Sequence, residues 1–223
     1  MVEWPNTAMS WINNLHSANW NQAGGICLFA YILGCFTSGY YLVRLLAGQD
    51  IREIGSGSVG AKNVGRVLGK PGFFLTVLFD VGKGVAAVLV ARQFSADDRL
   101  AALAMVGVVV GHIWPVQLRF NGGKGMAAAL GALLAYDPRL VLAFLVLFFC
   151  LFIVWRRTLL PGLFALAGVP LAAMLHHDNS IKVVFLSILA GLVMVAHRKN
   201  LVEEILHLPA RRDLDPNPDQ SEL

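Results

Sequence analysis

Long apolar runs, cut by short breaks rich in glycine, proline and basic residues, restrict this chain more than any other feature. In the hydrocarbon of a bilayer a backbone has no water to bond with, so an apolar run of roughly 20 residues is stable there only as a helix. Apolar stretches fall near residues 26–46, 72–91, 100–118, 125–136, 139–155, 158–175 and 181–196. With 57% hydrophobic and 14% charged residues, the composition excludes an ordinary soluble domain. The expectation is an all-α integral membrane protein of about seven transmembrane helices with glycine-rich cytoplasmic loops.

The stretch from Gly125 to Tyr136 would rise only about 18 Å as a helix. That length suits a helix that starts inside the protein, at a loop folded back to membrane depth. In the other arrangement residues 125–155 form one kinked helix broken at Asp137-Pro138, which lowers the helix count by one.

Basic residues in short loops set orientation. With the amino terminus outside, the cytoplasmic segments hold Arg44, Arg52, Lys62, Arg66, Lys70, Arg119, Lys124, Arg156, Arg157, Arg198, Lys199, Arg211 and Arg212. The outer side keeps only Arg92, Arg99, Arg139 and Lys182. The first 25 residues lack the basic start of a signal peptide and are expected to be retained. Trp4, Trp11 and Trp20 suit either an interfacial segment or a loosely ordered extension. Residues 208–223 read as a cytoplasmic tail rich in proline and charge. The organisation expected is therefore an extension over 1–25, a membrane domain over 26–200 and a tail over 201–223. Cys27, Cys35 and Cys150 all lie in apolar stretches, so neither a structural disulfide nor a zinc site is expected.

Two glycine-rich segments stand apart from the apolar runs. The first, Gly55 to Arg66, carries Ser56, Ser58, Lys62, Asn63 and Arg66 and reads as a long loop. Hydroxyl, amide and guanidinium groups can together hold phosphate oxygens, although a solvated loop obeying the orientation rule would look similar. In the second, Gly111-His-Ile-Trp-Pro115 ends one helix, Asn121-Gly-Gly-Lys-Gly125 turns, and a small-residue helix starts at Met126. Backbone N–H groups at such a helix start point at an anion and the helix dipole favours it. The spacing G-x-x-x-x-G-K-[ST] is absent, which rejects an NTPase phosphate loop.

Asp80 and Lys83, at i and i+3 inside an apolar stretch, read as a neutralising pair supporting the site. Gly107-x-x-x-Gly111 reads as a close helix-packing face. His197-Arg-Lys-Asn200 closes the last apolar stretch.

Taken together, these segments resemble the bacterial acyl-phosphate:glycerol-3-phosphate acyltransferases, the PlsY family. Asp50 to Arg66 is similar to that family's first signature, Gly111 to Gly125 to its second, and His197 to Asn200 to the start of its third; Phe79 to Gly84 and Gly39-Tyr40 also match. The resemblance implies transfer of a fatty acyl group from acyl phosphate to the 1-hydroxyl of sn-glycerol 3-phosphate, giving lysophosphatidic acid and phosphate. It implies a membrane enzyme working without metal, cofactor or acyl carrier protein. Catalytic positions carry over as Ser56, Arg66, Lys124, His197 and Asn200, with the Gly122 to Gly125 backbone as phosphate cradle. Candidate substrate-binding residues are Ser58, Lys62, Asn63, His112, Asn121, Gly122, Gly123 and Gly125. The expected partners are acyl phosphate, glycerol 3-phosphate and membrane lipids, with no nucleic acid, in a monomer of the bacterial inner membrane. Ser58 stands where the family usually has asparagine, Lys62 where it has threonine, and Leu201 to Pro209 lacks its glycine and spaced glutamate.

The residues carry this chemistry on their own terms. No His-x-x-x-x-Asp occurs, which argues against acyltransferases that use that motif as base and orienter. Acyl phosphate has a good leaving group, so neutralising phosphate charge and holding the hydroxyl near the acyl carbon suffice. The proton acceptor is either a substrate phosphate oxygen or His197. A small anion transporter or lipid-binding membrane protein is the competing class, since broken helices and glycine loops also occur in transporters.

Overall fold

A computed structural model describes residues 20–206 of the chain. The segment holding Trp4 and Trp11 and the tail from Leu208 lie outside the described residues. Helices α1 (Trp20–Cys35) and α2 (Ser38–Ala47) form the first hydrophobic passage, interrupted at Phe36-Thr37. They are followed by α3 (Ala61–Phe94), α4 (Asp98–Ile113), α5 (Met126–Tyr136), α6 (Pro138–Trp155), α7 (Leu159–Leu175), α8 (Ser180–Ala196) and α9 (Arg198–Ile205). Each apolar stretch expected from the sequence is mainly helical, although the first is broken at Phe36-Thr37 and the third leaves the α-helix after Ile113. Four segments are long and apolar enough to cross a bilayer: Trp20–Ala47, Ala61–Phe94, Asp98–Leu118 and Pro138–Trp155. There are five if α8 and α9, bent by 63°, make one span; α5 and α7 are shorter apolar helices.

Two expectations change. Lys62, Asn63 and Arg66 sit on the first turns of α3 rather than in a loop. Ala61 to Leu68 lacks proline and closes its first turn on the Gly60 carbonyl, which accepts from the Asn63 and Val64 N–H groups. The helix direction then breaks at Gly69, whose φ of 68° is open to glycine, ahead of Pro71, which cannot donate. The single kinked helix over 125–155 is not found: Asp137 is extended (φ −156°, ψ 101°) and caps α6 by accepting from the Arg139 N–H at 3.0 Å. Pro138 occupies the start of α6, where its missing N–H costs nothing.

Glycines set the helix spacing. A Cβ on Gly34 would lie 2.2 Å from the Val108 carbonyl oxygen, and one on Gly111 2.1 Å from that of Tyr31. Helices α1 and α4 therefore touch backbone to backbone, as the Gly107-x-x-x-Gly111 pattern suggests. The same holds for α3 on α5, where a Cβ on Gly84 would meet the Ala128 carbonyl oxygen at 2.2 Å and one on Gly131 that of Val81 at 2.1 Å. Around these contacts Met105, Val108, Ala128, Leu133, Leu166 and Leu189 form the core, while Leu142, Phe149 and Ile153 of α6 face outward. An outward apolar surface is what a lipid-facing helix requires.

Ion pairs tie the helices at the end where α5 stops. Asp137 receives Arg139 at 2.7 Å and Lys182 at 2.5 Å, and Lys182 also reaches Asp178 at 3.1 Å. Arg92, at the end of α3, donates to the Tyr136 carbonyl at 2.7 Å. Hydrogen bonds from Arg139 and then Lys182 outweigh burial and hold the Asp137 carboxyl well below the usual carboxylate range. A depressed carboxyl pKa contributes stability above its unfolded value and loses it as pH falls toward the folded one. Asp137→Asn should cost about 1–3 kcal/mol, read as a lower thermal midpoint in detergent at neutral pH. The gap to the parent protein should narrow as pH drops below about 4.

Candidate active site

Three segments build the site. The first is the turn before α3, where Gly55 and Gly57 take φ values of 53° and 66°. Asn63 holds this turn in shape. Its Nδ2 donates to the carbonyls of Ile51 (3.2 Å), Ile54 (2.9 Å) and Ser58 (3.0 Å). Its Oδ1 accepts from the Ser56 N–H at 3.2 Å and from Arg66 Nη1 at 3.2 Å. With both amide atoms engaged, buried Asn63 scaffolds the turn and holds Arg66 beside it. Ser58 Oγ accepts from the Gly60 N–H at 3.3 Å, so serine here makes the same short turn that an asparagine side chain can make. Asp50 and Arg52 pair at 2.6 Å, and Arg52 reaches the Leu118 carbonyl at 3.3 Å, joining the first segment to the second.

The second segment leaves α4 at Trp114 and reverses through Arg119 (φ 53°) and Phe120 (φ 61°). The N–H groups of Gly122 and Gly123 donate to the carbonyls of Ile113 (3.1 Å) and His112 (3.0 Å). Those amides are thus spent folding the turn onto the end of α4. Of the stretch expected as a cradle, Gly122 and Gly123 have their N–H groups engaged in this way, while the N–H groups in the first turn of α5 have no intrahelical acceptor. Gly122 and Gly123 are required for another reason: a Cβ on Gly122 would lie 2.2 Å from the His112 carbonyl oxygen, and one on Gly123 2.1 Å from His112 Nε2. Gly125 caps α5 with φ 84°.

The third segment is the bend between α8 and α9. His197 is buried, and its Nδ1 lies 2.8 Å from the Val193 carbonyl oxygen. A carbonyl only accepts, so Nδ1 carries the proton and Nε2 keeps a free lone pair. Asn200, one turn on, accepts from Lys124 Nζ.

All three segments face one cavity of about 1510 Å³. Its lining includes Ser56, Ser58, Lys62, Asn63, Arg66, His112, Asn121, Gly122, Gly123, Lys124, Gly125, His197 and Asn200, the full set of sequence candidates. Burial, followed by the repulsion of Lys62 and Arg66 against the attraction of Glu203, lowers the Lys124 pKa from its ordinary value. Lys62 and Arg66 are exposed on α3, with Lys62 Nζ donating to Thr158 Oγ1 at 2.7 Å. Thus Lys62 has its hydroxyl partner on the α6–α7 junction. A wall of Val77, Val81, Leu130, Phe144 and Phe148 makes another part of the cavity apolar.

Sequence reading missed Arg157, Thr158, Glu203 and Glu204 as part of this cavity. Arg157 and Glu204 pair at 2.7 Å and tie α9 to the α6–α7 junction. The available signal was spacing: Glu203 and Glu204 follow Asn200 by one helical turn. Asp80 and Lys83 do form the expected buried pair, at 3.0 Å.

A helical membrane protein whose polar segments close on one cationic, glycine-walled cavity defines the class. The chain belongs to the glycerol-3-phosphate acyltransferase family, whose description matches residues 25–206. It is 40% identical over 195 residues to glycerol-3-phosphate acyltransferase 1 of Desulfitobacterium hafniense (strain Y51), covering 86% of this chain and 96% of that protein. It is 37% identical over 172 residues to glycerol-3-phosphate acyltransferase of Geotalea daltonii, covering 77% and 88%. Among solved structures it resembles PlsY (YgiH), an integral membrane glycerol 3-phosphate acyltransferase, in its glycerol 3-phosphate form. The TM-score is 0.76 at 31% identity, with 83% of this chain and 92% of that one covered.

Because Asn63 reaches three carbonyls of the first turn, Asn63→Ala should raise amide hydrogen exchange across residues 51–58. Exchange near Asp137 should stay unchanged. Equal exchange in both proteins over 51–58 would contradict the scaffold role.

Proposed function

We propose that this protein transfers a fatty acyl group from acyl phosphate to the 1-hydroxyl of sn-glycerol 3-phosphate, releasing lysophosphatidic acid and inorganic phosphate. The observation that carries the reading is the cavity's division into a cationic end, with Lys62, Arg66 and Lys124, and an apolar wall with Leu130, Phe144 and Phe148. A donor with a phosphate head and an alkyl tail matches both surfaces at once. The relatives are described as glycerol-3-phosphate acyltransferases, and the related PlsY structure is also known in a lysophosphatidic acid form.

In this reading Arg66, Lys124 and the α5 N-terminal amides neutralise the phosphates and bring the hydroxyl to the acyl carbon. The hydroxyl oxygen bonds to that carbon and the bond from carbon to bridging oxygen breaks, so phosphate leaves with its electron pair. The hydroxyl proton passes either to a phosphate oxygen or to the free Nε2 of His197. Asn200 orients the Lys124 ammonium, and Ser56, exposed at the cavity, is placed to bond a substrate oxygen. No metal or cofactor is required. Both glycine segments line the same cavity, which favours an enzyme over a transport path with two ends.

In the same reading the membrane domain over residues 26–200, completed by the remainder of α9 with Glu203 and Glu204, is the catalytic unit in the bacterial inner membrane. The amino terminus lies outside, the cavity opens to the cytoplasm, and the protein acts as a monomer.

Purified protein given palmitoyl phosphate and glycerol 3-phosphate should release phosphate and lysophosphatidic acid together. Lys124→Ala should lower turnover by about 10²-fold or more. A folded parent protein that releases neither product with any acyl chain length would overturn the assignment.

Lys124 binds phosphate only when charged, and its pKa is lowered, so affinity for glycerol 3-phosphate should weaken on the alkaline side before an ordinary lysine would titrate. In Lys124→Arg the guanidinium stays charged and this alkaline weakening should vanish. An alkaline limb identical in both proteins would remove Lys124 as its source.

A further inference from the structure

Lys83, Asp80 and His112 are all buried, and they form a connected cluster beneath the second glycine turn. Lys83 Nζ lies 3.0 Å from Asp80 Oδ1, 2.7 Å from the Phe36 carbonyl oxygen, 3.2 Å from that of Gly34 and 2.7 Å from His112 Nδ1. Asp80 Oδ1 also accepts from Ser38 Oγ at 3.2 Å. The cluster therefore joins the break between α1 and α2 to α3 and α4.

Neutralising a buried charge needs only the Asp80–Lys83 pair. His112 adds nothing to that balance, yet it is held closer to Lys83 than the carboxylate is. An ammonium paired with a carboxylate has donors and no acceptor, so His112 Nδ1 must accept and the ring proton must sit on Nε2. The Nε2 edge packs against Gly123, where a Cβ would lie 2.1 Å away, and the ring lines the cavity. The hydrogen-bonding neighbour of the ring is Lys83 at Nδ1, and Nε2 lies on the side of the second glycine turn.

Resting on the acyltransferase reading, we propose that Asp80 and Lys83 are positioning residues that hold His112 as an Nε2–H donor to the phosphoryl group bound at the Lys124-Gly125 turn. His197 is fixed in the opposite tautomer, with Nδ1–H on the Val193 carbonyl. The cavity thus contains one histidine set to donate and one set to accept.

Nitrogen-15 spectra of histidine-labelled full-length protein in detergent test the tautomer directly. The His112 Nδ1 should resonate as an unprotonated nitrogen and Nε2 as N–H, and Nε2 should shift when inorganic phosphate is added. A protonated Nδ1 overturns the proposal, as does an Nε2 signal unmoved while phosphorus-31 line broadening shows phosphate bound.

Kinetics supply the second arm. His112→Asn, whose amide is too short to reach the Nε2 position, should raise KM for the phosphate substrate held at the turn about tenfold with kcat little changed. His112→Gln, whose amide N–H reaches that position, should stay within a few-fold of the parent. Lys83→Met should resemble His112→Asn. Equal KM values for the Gln and Asn variants would overturn the donor role whether or not Lys83→Met folds. An inactive parent protein would sink the acyltransferase reading instead, and the tautomer measurement would still judge His112.

Discussion

The packing of Gly123 against His112 is the contact on which the site depends. The Gly123 N–H donates to the His112 carbonyl at 3.0 Å, and there is no room for a side chain between its Cα and the imidazole. This contact seats the turn on the end of α4 and thereby aims the start of α5 at the cavity. Lys124 follows directly in the chain, so its ammonium is delivered to Asn200 of α9 by the same geometry. Loosening one glycine would move a cation, a helix start and a histidine together.

The helix spacing behind this arrangement is equally strict. Backbone contact between α1 and α4 at Gly34 and Gly111 and between α3 and α5 at Gly84 and Gly131 brings the breaks of α1–α2 and α4–α5 side by side. Without a hydrophobic force between helices in lipid, such close approach is a main source of helix association. The Asp80–Lys83 charge pair is tolerable at this depth because His112 Nδ1, the Ser38 hydroxyl and the Gly34 and Phe36 carbonyls complete its hydrogen bonds.

Much of this was legible in the sequence. Apolar length marked the helices, and the Asp137-Pro138 step marked a boundary because an extended cap and a residue without an N–H both favour a fresh helix start. The two glycine segments and His197 to Asn200 showed the site, and the structure brings all of their candidate side chains to one cavity. Local pattern did not show that Lys62 and Arg66 ride on a helical turn, since a glycine-dense polar stretch reads as loop until tertiary contacts are known. Nor could it show that the Gly122 and Gly123 amides are spent on carbonyls of α4, or that Arg157 reaches Glu204. Those contacts arise from how the chain folds back on itself, which no short-range spacing encodes.

Attack at the acyl carbon of acyl phosphate, rather than at phosphorus, is recorded in the fate of the bridging oxygen. Acyl phosphate carrying oxygen-18 only between carbon and phosphorus should be turned over with glycerol 3-phosphate and both products analysed by mass spectrometry. The label should leave with inorganic phosphate. Label retained in the acyl product, or lysophosphatidic acid formed without phosphate release, would contradict it.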